Sequence, residues 1–143
     1  MDKYDALKLD NQLCFPLYAA AREIIKQYHE PLQAIDLTYT QYIAMMVLWE
    51  EKEITTKALG TRLHLDSGTL TPVLKSLEKK GHITKRRDKA DERLVICTLT
   101  ARGKALREKA LAVPAEISKC VNLTPEEAQA LYTLLYKLLN TQT

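Results

Sequence analysis

The stretch from Asp66 to Arg93, DSGTLTPVLKSLEKKGHITKRRDKADER, constrains the fold of this chain more than any other. Leu70, Val73, Leu74 and Leu77 recur at helical spacing, so they share one face and leave Ser67, Thr69, Thr71, Lys75 and Lys79 pointing elsewhere. Asp66 or Ser67 offers an oxygen to the first free amides of such a helix, and Gly81 provides a left-handed stop after Lys80. Pro72 requires that the helix start close by. Past the glycine, Ile83 alternates with Thr84 and Lys85; Arg86 and Arg87 then open a polar loop that ends at Leu94, Val95 and Ile96. Helix, strand, charged loop and strand form the outline of a winged helix. The expected fold is therefore mainly α with a small β-wing.

Charge points to the same stretch. The 143 residues carry a net charge of only +3, yet from Ile54 to Thr98 ten Lys or Arg stand against five Asp or Glu, a local +5. The rest holds eleven basic and thirteen acidic residues, or −2. An anionic partner is the natural inference for an excess placed there, a solvated surface being the alternative. With 46% hydrophobic and 27% charged residues the chain has the composition of a folded domain and not of a disordered one. No apolar run reaches the roughly 18 residues of a membrane span, and the opening MDKYDALKLD is too acidic for a signal peptide, so a cytoplasmic protein without a membrane partner is expected. Cys14, Cys97 and Cys120 are odd in number and far apart, with no CxxC pair; neither a disulfide framework nor zinc is indicated, and no metal or cofactor is expected.

The flanks read as helices. Leu13, Leu17, Ala20, Ile24, Ile25 and Tyr28 predict a long helix from Asp10 or Asn11 to near Pro31, with Cys14 in its first turns and Pro16 close to its start. Free amides and the helix dipole there favour an anion, and a thiolate is the anion a cysteine can become. Thr38 to Glu51 predicts a second helix, capped by Thr38 with Gln41 at capping-box spacing, whose Tyr42, Met45, Met46 and Trp49 supply core. Ile54 is a minimal strand, and a short helix from Thr55 or Thr56 through Leu63 completes a helix-turn-helix. Thr100 to Cys120 reads as one helix kinked at Pro114, with Leu106, Ala110 and Val113 on one face. Thr124, Pro125 and Glu126 open a last helix striped by Leu131, Leu134, Leu135, Leu138 and Leu139. One domain over 1–143 follows, with the winged part at about 54–98 and the segments at about 1–35 and 100–143 as dimerisation helices. The alternative for the leucine stripe is that it covers the domain's own core.

The wing segment DKADERLVICTLTARGKAL, with its DxR pair Asp91 and Arg93 and the LTxxG that follows, resembles the multiple-antibiotic-resistance regulator (MarR) family of dimeric winged-helix repressors over nearly the whole chain. The segments NQLCFPLYAAAREIIKQY, LTYTQY and LDSGTLTPVLKSLEKKG are similar to its organic hydroperoxide resistance regulators. That resemblance implies a homodimer that binds an inverted-repeat operator when reduced and is released when organic hydroperoxides oxidise Cys14. It makes Tyr28 and Tyr39 the phenols that hydrogen-bond the Cys14 sulfur, with Tyr18 lining the same pocket; without it, amphipathic core is the plainer account of these tyrosines. Phe15, Leu17, Met45 and Met46 become the apolar walls. Cys120 takes the place of the resolving cysteine of a partner subunit, and Cys97 that of a small buried apolar residue.

In this fold the helix from Ser67 enters the major groove, so Ser67, Thr69 and Thr71 are candidates for base edges or phosphates and Lys75 for phosphate. Arg93, oriented by Asp91, suits a narrow minor groove, unless the pair is a salt bridge that shapes the hairpin; Arg86, Arg87 and Lys89 add salt-dependent affinity. Competing expectations are a repressor released by a small phenolic ligand with Cys14 a bystander, a thiol peroxidase, and an architectural DNA binder. A winged helix argues against an enzyme.

Overall fold

In the computed structural model, which describes residues 2–140, five helices begin on a side-chain cap. Helix α1 runs from Cys14 to Gln33 and is the one long helix without such a cap. Helix α2, Tyr39–Glu51, has a complete capping box, in which Gln41 N–H donates to the Thr38 hydroxyl and Thr38 N–H donates to the Gln41 side chain. Strand β1, Glu53–Thr55, leads into α3, Thr56–Leu63, whose Ala58 amide donates to Thr55 Oγ1. Asp66 caps α4, Ser67–Lys79, by accepting from Thr69 N–H at 2.7 Å. Strands β2, Ile83–Arg87, and β3, Val95–Leu99, follow, then α5, Ala101–Ala110, capped by Thr100. Helix α6 spans Ala112–Ser118, and α7, Pro125–Asn140, starts on a Thr124–Glu127 capping box. Each such cap stabilises its helix by about 1 kcal/mol, which fixes where the chain turns.

The sheet has the order β1-β3-β2, antiparallel throughout, with Cys97 of the central strand opposite Ile54 on one side and Lys85 on the other. One core joins it to the helices: Leu32, Leu37, Met45, Leu48, Leu59, Leu74, Leu77, Ile83 and Val113 are all buried. Gly81 takes φ +84°, the left-handed conformation that its position after α4 demands.

The LTxxG segment acquires a physical meaning here. Thr100 Oγ1 donates to the Gly81 carbonyl at 2.6 Å and accepts from Gly103 N–H at 3.0 Å, while Thr100 N–H donates to the His82 carbonyl. A Cβ on Gly103 would lie 2.2 Å from that His82 oxygen, so α5 meets the start of the wing at a distance only glycine permits. The Gly103 carbonyl in turn accepts from Trp49 Nε1 at 2.8 Å.

Several expectations are corrected. Helix α1 starts at Cys14, after 3-10 turns at Asp5–Leu7 and Leu9–Asn11, and runs through Pro31 to Gln33 because buried Leu32 holds its last turn in the core. Pro72 is the sixth residue of α4, past its first turn. The helix expected from Thr100 to Cys120 breaks at Leu111 and not at Pro114, which is the third residue of α6, where a missing N–H costs little. Met46 is 44% exposed and supplies no core, whereas Tyr42 and Met45 are buried. The leucine stripe does not cover the domain's own core, since α7 has no buried residue.

Gly103→Ala is expected to destabilise the fold by about 2 kcal/mol or more, because backbone must move, whereas Gly68→Ala, whose Cβ meets only Asp66 Oδ1 at 3.4 Å, should be neutral or stabilising. Urea unfolding of the two variants side by side checks this.

Candidate functional site

The exposed side of α4 presents Ser67, Thr71 and Lys75 in a row four residues apart, bordering the face on which Leu70, Val73, Leu74 and Leu77 are buried. The Thr71 hydroxyl donates to the Ser67 carbonyl at 2.6 Å, which leaves its lone pairs free to accept. Thr69, also exposed, falls on the other flank of the helix. Between α3, α4 and the wing lies a cleft of about 700 Å³ whose lining includes Thr56, Lys57, Thr61, His64 and Lys85 beside Ser67 and Thr71. Those five were not singled out from the sequence. The threonines and lysine of α3 carry no periodic signal, and His64 joins them because it caps α3 in a left-handed conformation, φ 56°.

At the wing, Arg93 grips Asp91 with two bonds, Nε to Oδ1 at 2.9 Å and Nη2 to Oδ2 at 3.0 Å, while Arg93 N–H also donates to Oδ1. The pair shifts each group towards its charged form: the Arg93 side chain and amide hold the Asp91 carboxyl below its usual range, and Asp91 raises the guanidinium. The Arg93 side chain is nevertheless 89% exposed and stands at the hairpin tip. Orientation of Arg93 and shaping of the hairpin are therefore the same contact. Arg87 donates to the Glu92 carbonyl, and Arg86 is paired with Glu53 across the sheet at 2.9 Å, so of the wing arginines Arg86 is committed within the fold. Lys89 is exposed.

Cys14 and Cys120 are exposed free thiols, whereas Cys97 is buried and its pKa is pushed up to about 11, chiefly by desolvation. Cys14 is the first residue of α1; Cys120 follows α6, its sulfur 3.7 Å from the Glu116 carbonyl. Tyr28, Tyr39 and Tyr42 form a cluster with ring centroids 4.8 to 6.3 Å apart. Burial is the main cause that raises all three phenol pKa values above 10, followed by their mutual repulsion, so they remain O–H donors. Within one protomer Cys14 is not among them. Tyr28 lies fourteen residues further along the same helix, about 21 Å away. Tyr18 is one turn from Cys14, and its hydroxyl accepts from Arg22 at 3.2 Å. Tyr42 and Arg22 had not been assigned to this region from the sequence.

Two long apolar faces are uncovered. Along α1, Cys14, Tyr18, Ala21, Ile25 and Tyr28 fall within about 40° of one line, and Leu13 beside them is 80% exposed. On α7 Leu131, Tyr132, Leu134 and Tyr136 are exposed, Leu134 by 58%. No described helix is long and apolar enough to cross a membrane, and the described residues hold no His, Cys, Asp and Glu group suited to a metal.

A recognition helix beside a basic three-stranded wing defines a winged helix-turn-helix protein. The model of the family described as transcriptional regulator SarA/Rot matches residues 26–110. The organic hydroperoxide resistance transcriptional regulator of Bacillus subtilis is 46% identical over 98% of this chain and 95% of its own. Among solved structures, reduced AbfR bound to DNA, the AbfR protein being from Staphylococcus epidermidis, is 36% identical with a TM-score of 0.80, covering 98% of this chain and 96% of that one. The disulfide-formed AbfR is 37% identical with a TM-score of 0.66, covering 96% of each chain. A cysteine-to-serine mutant of Escherichia coli MarR complexed with operator DNA is 26% identical with a TM-score of 0.78, over 97% and 99%. The chain thus belongs to the MarR-type winged-helix transcriptional regulators, in the organic hydroperoxide resistance group. It is a DNA-binding regulator, and the relatives it matches are regulators and not enzymes.

Alkylation of the native protein with iodoacetamide at pH 8 is expected to label Cys14 and Cys120 and to spare Cys97, only about one thiol in a thousand of which is ionised at that pH. Peptide mass spectrometry reads the pattern. Arg93→Ala is expected to weaken DNA binding and to reduce the slope of log K against log salt by about one, as removal of one cation–phosphate contact does; an unchanged slope assigns Arg93 to the hairpin alone.

Proposed function

We propose that this protein is a homodimeric redox-sensing repressor that holds inverted-repeat operator DNA when reduced and releases it when an organic hydroperoxide oxidises Cys14. The observation that carries this is the exposed strip of α1, with Cys14 at one end and the Tyr28–Tyr39–Tyr42 cluster at the other. A two-fold axis across that strip packs two α1 helices antiparallel, which brings Cys14 of one protomer to Tyr28 and Tyr39 of the other and covers the apolar residues of both. Tyr18 lines the same space one turn away, and Phe15 and Leu17 give it the apolar walls that favour an organic over an inorganic peroxide. The leucines of α7 add to the interface.

In the chemistry proposed, the Cys14 thiolate attacks the distal peroxide oxygen, the O–O bond breaks, the alcohol leaves, and Cys14 becomes a sulfenic acid. Protonated phenols beside the sulfur donate hydrogen bonds to it before and after that step. The Cys120 thiol of the second protomer then displaces water from the sulfenic acid and closes a Cys14–Cys120 disulfide. Both sulfurs are exposed and free here, and a separation of more than several ångströms between them in the reduced dimer requires helices to shift before the bond forms. The smaller likeness to disulfide-formed AbfR than to reduced, DNA-bound AbfR supports such a shift between redox states. On DNA, Ser67, Thr69 and Thr71 face base edges or phosphates and Lys75 a phosphate, Arg93 held by Asp91 enters the minor groove, and Arg87 and Lys89 add backbone affinity, whereas Arg86 stays paired with Glu53. The paired recognition helices sit about 34 Å apart, one turn of DNA.

Cys14→Ser is expected to bind a duplex selected by the reduced wild type with undiminished affinity and to stay bound when cumene hydroperoxide is added. Release of that variant by peroxide removes Cys14 from the mechanism. On non-reducing gels the oxidised wild type should run as a crosslinked dimer and Cys120→Ser as a monomer; a crosslink that survives the substitution excludes Cys120.

A further inference from the structure

The start of α2, where Tyr39 lies, and the far end of α4 are joined through one buried amide. Gln41 is only 7% exposed. Its Oε1 accepts from Thr38 N–H at 3.1 Å and from Lys80 Nζ at 2.9 Å, and its Nε2 donates to Ser76 Oγ at 3.0 Å. Lys80 Nζ donates as well to the Asp36 carbonyl at 2.6 Å. Thr38 and Tyr39 begin α2, whereas Ser76 lies in the last turns of α4 and Lys80 caps it. The loop between α1 and α2 has little slack, since Asp36 is held at φ 55° and Leu37, buried, donates its amide back to the Leu32 carbonyl at 3.0 Å.

We infer that Gln41 is the coupling residue through which a displacement of the Tyr28–Tyr39 phenols is passed to the recognition helix, an inference that rests on the proposed role of those phenols beside Cys14. Apolar contacts between α2 and α4 are non-directional and allow the helices to slide, whereas the Gln41 bonds fix their register. When Tyr39 moves with the start of α2, Gln41 either carries Ser76 and Lys80 with it or is itself left unpaired where little water reaches. Unpaired buried groups are the costlier outcome, so the helix end follows. Ser67 lies nine residues from Ser76, about 14 Å along α4, so a small tilt at the Gln41 end displaces the row that faces DNA.

The test compares wild type, Gln41→Leu, Gln41→Glu and Ser76→Ala. For each, the dissociation constant for the selected duplex is measured reduced and after one equivalent of cumene hydroperoxide, along with the rate of Cys14 oxidation. Gln41→Glu keeps the acceptor for Thr38 and Lys80 and replaces the donor to Ser76 by an acceptor to which the Ser76 hydroxyl can turn and donate, and its oxidised-to-reduced ratio is expected to stay within about threefold of wild type. In Gln41→Leu the ratio should fall by about tenfold or more with Cys14 oxidised at the wild-type rate, a loss within the usual range of coupling between sites. A folded Gln41→Leu that keeps the wild-type ratio overturns the inference. Should Gln41→Leu fail to fold, Ser76→Ala, which removes one bond, is expected to lower the ratio by about threefold, and an unchanged ratio there overturns the inference equally. Failure of the oxidised wild type to release DNA overturns instead the redox function on which the inference depends.

Discussion

The close approach of Gly103 to the His82 carbonyl sets the geometry on which both halves of this molecule depend. At that point the end of α4, the start of the wing and the start of α5 meet within one network of backbone and hydroxyl bonds, centred on Thr100 Oγ1. Trp49 ties α2 to the same junction through the Gly103 carbonyl. A side chain larger than hydrogen at 103 would separate the wing from α5, and with it the α3–α4–wing surface from the helices that follow. Hydrogen bonds of this sort contribute little net energy each; their effect is to leave a single allowed arrangement.

Around that junction the chain separates two kinds of surface. One is polar and basic, made by α3, α4 and the wing, and its side chains are arranged in a row and a tip. The other is apolar, made by α1 and α7, and is uncovered in a single copy. Cys97 stands in the core between them, on the central strand, with its thiol held protonated by burial. Chemistry at the exposed sulfurs can therefore proceed without touching the sheet that carries the wing.

Much of the fold was legible in the sequence because local signals and tertiary packing agree there. Thr38 with Gln41, Asp66, Thr100, and Gly81 each mark a helix end that the structure reproduces. Where the reading failed, a tertiary contact outweighed the local signal. Leu32 in the core carries α1 past Pro31, and Pro114 is harmless because the chain breaks three residues before it. Met46 shares the apolar run of α2 with Met45 yet faces outward, which no periodicity in a run apolar on all sides could reveal. The site was legible in part. Cys14 and the tyrosines were identified by their residue types and by resemblance, but their separation along one helix required coordinates. The Gln41 network was not legible, since its partners Ser76 and Lys80 are distant in sequence and nothing in the pattern of α4 pairs them with the cap of α2.

The Asp91–Arg93 pair bears on how the protein finds a site among many. An arginine whose charge is already balanced by a carboxylate is drawn weakly to an arbitrary stretch of phosphate backbone. Two of its five N–H groups are spent on Asp91, and the others project in a fixed plane from the hairpin tip. In the function proposed, such a wing lingers little on random sequence and engages where the groove presents acceptors in that plane, so the ion pair would shorten each unproductive encounter during the search.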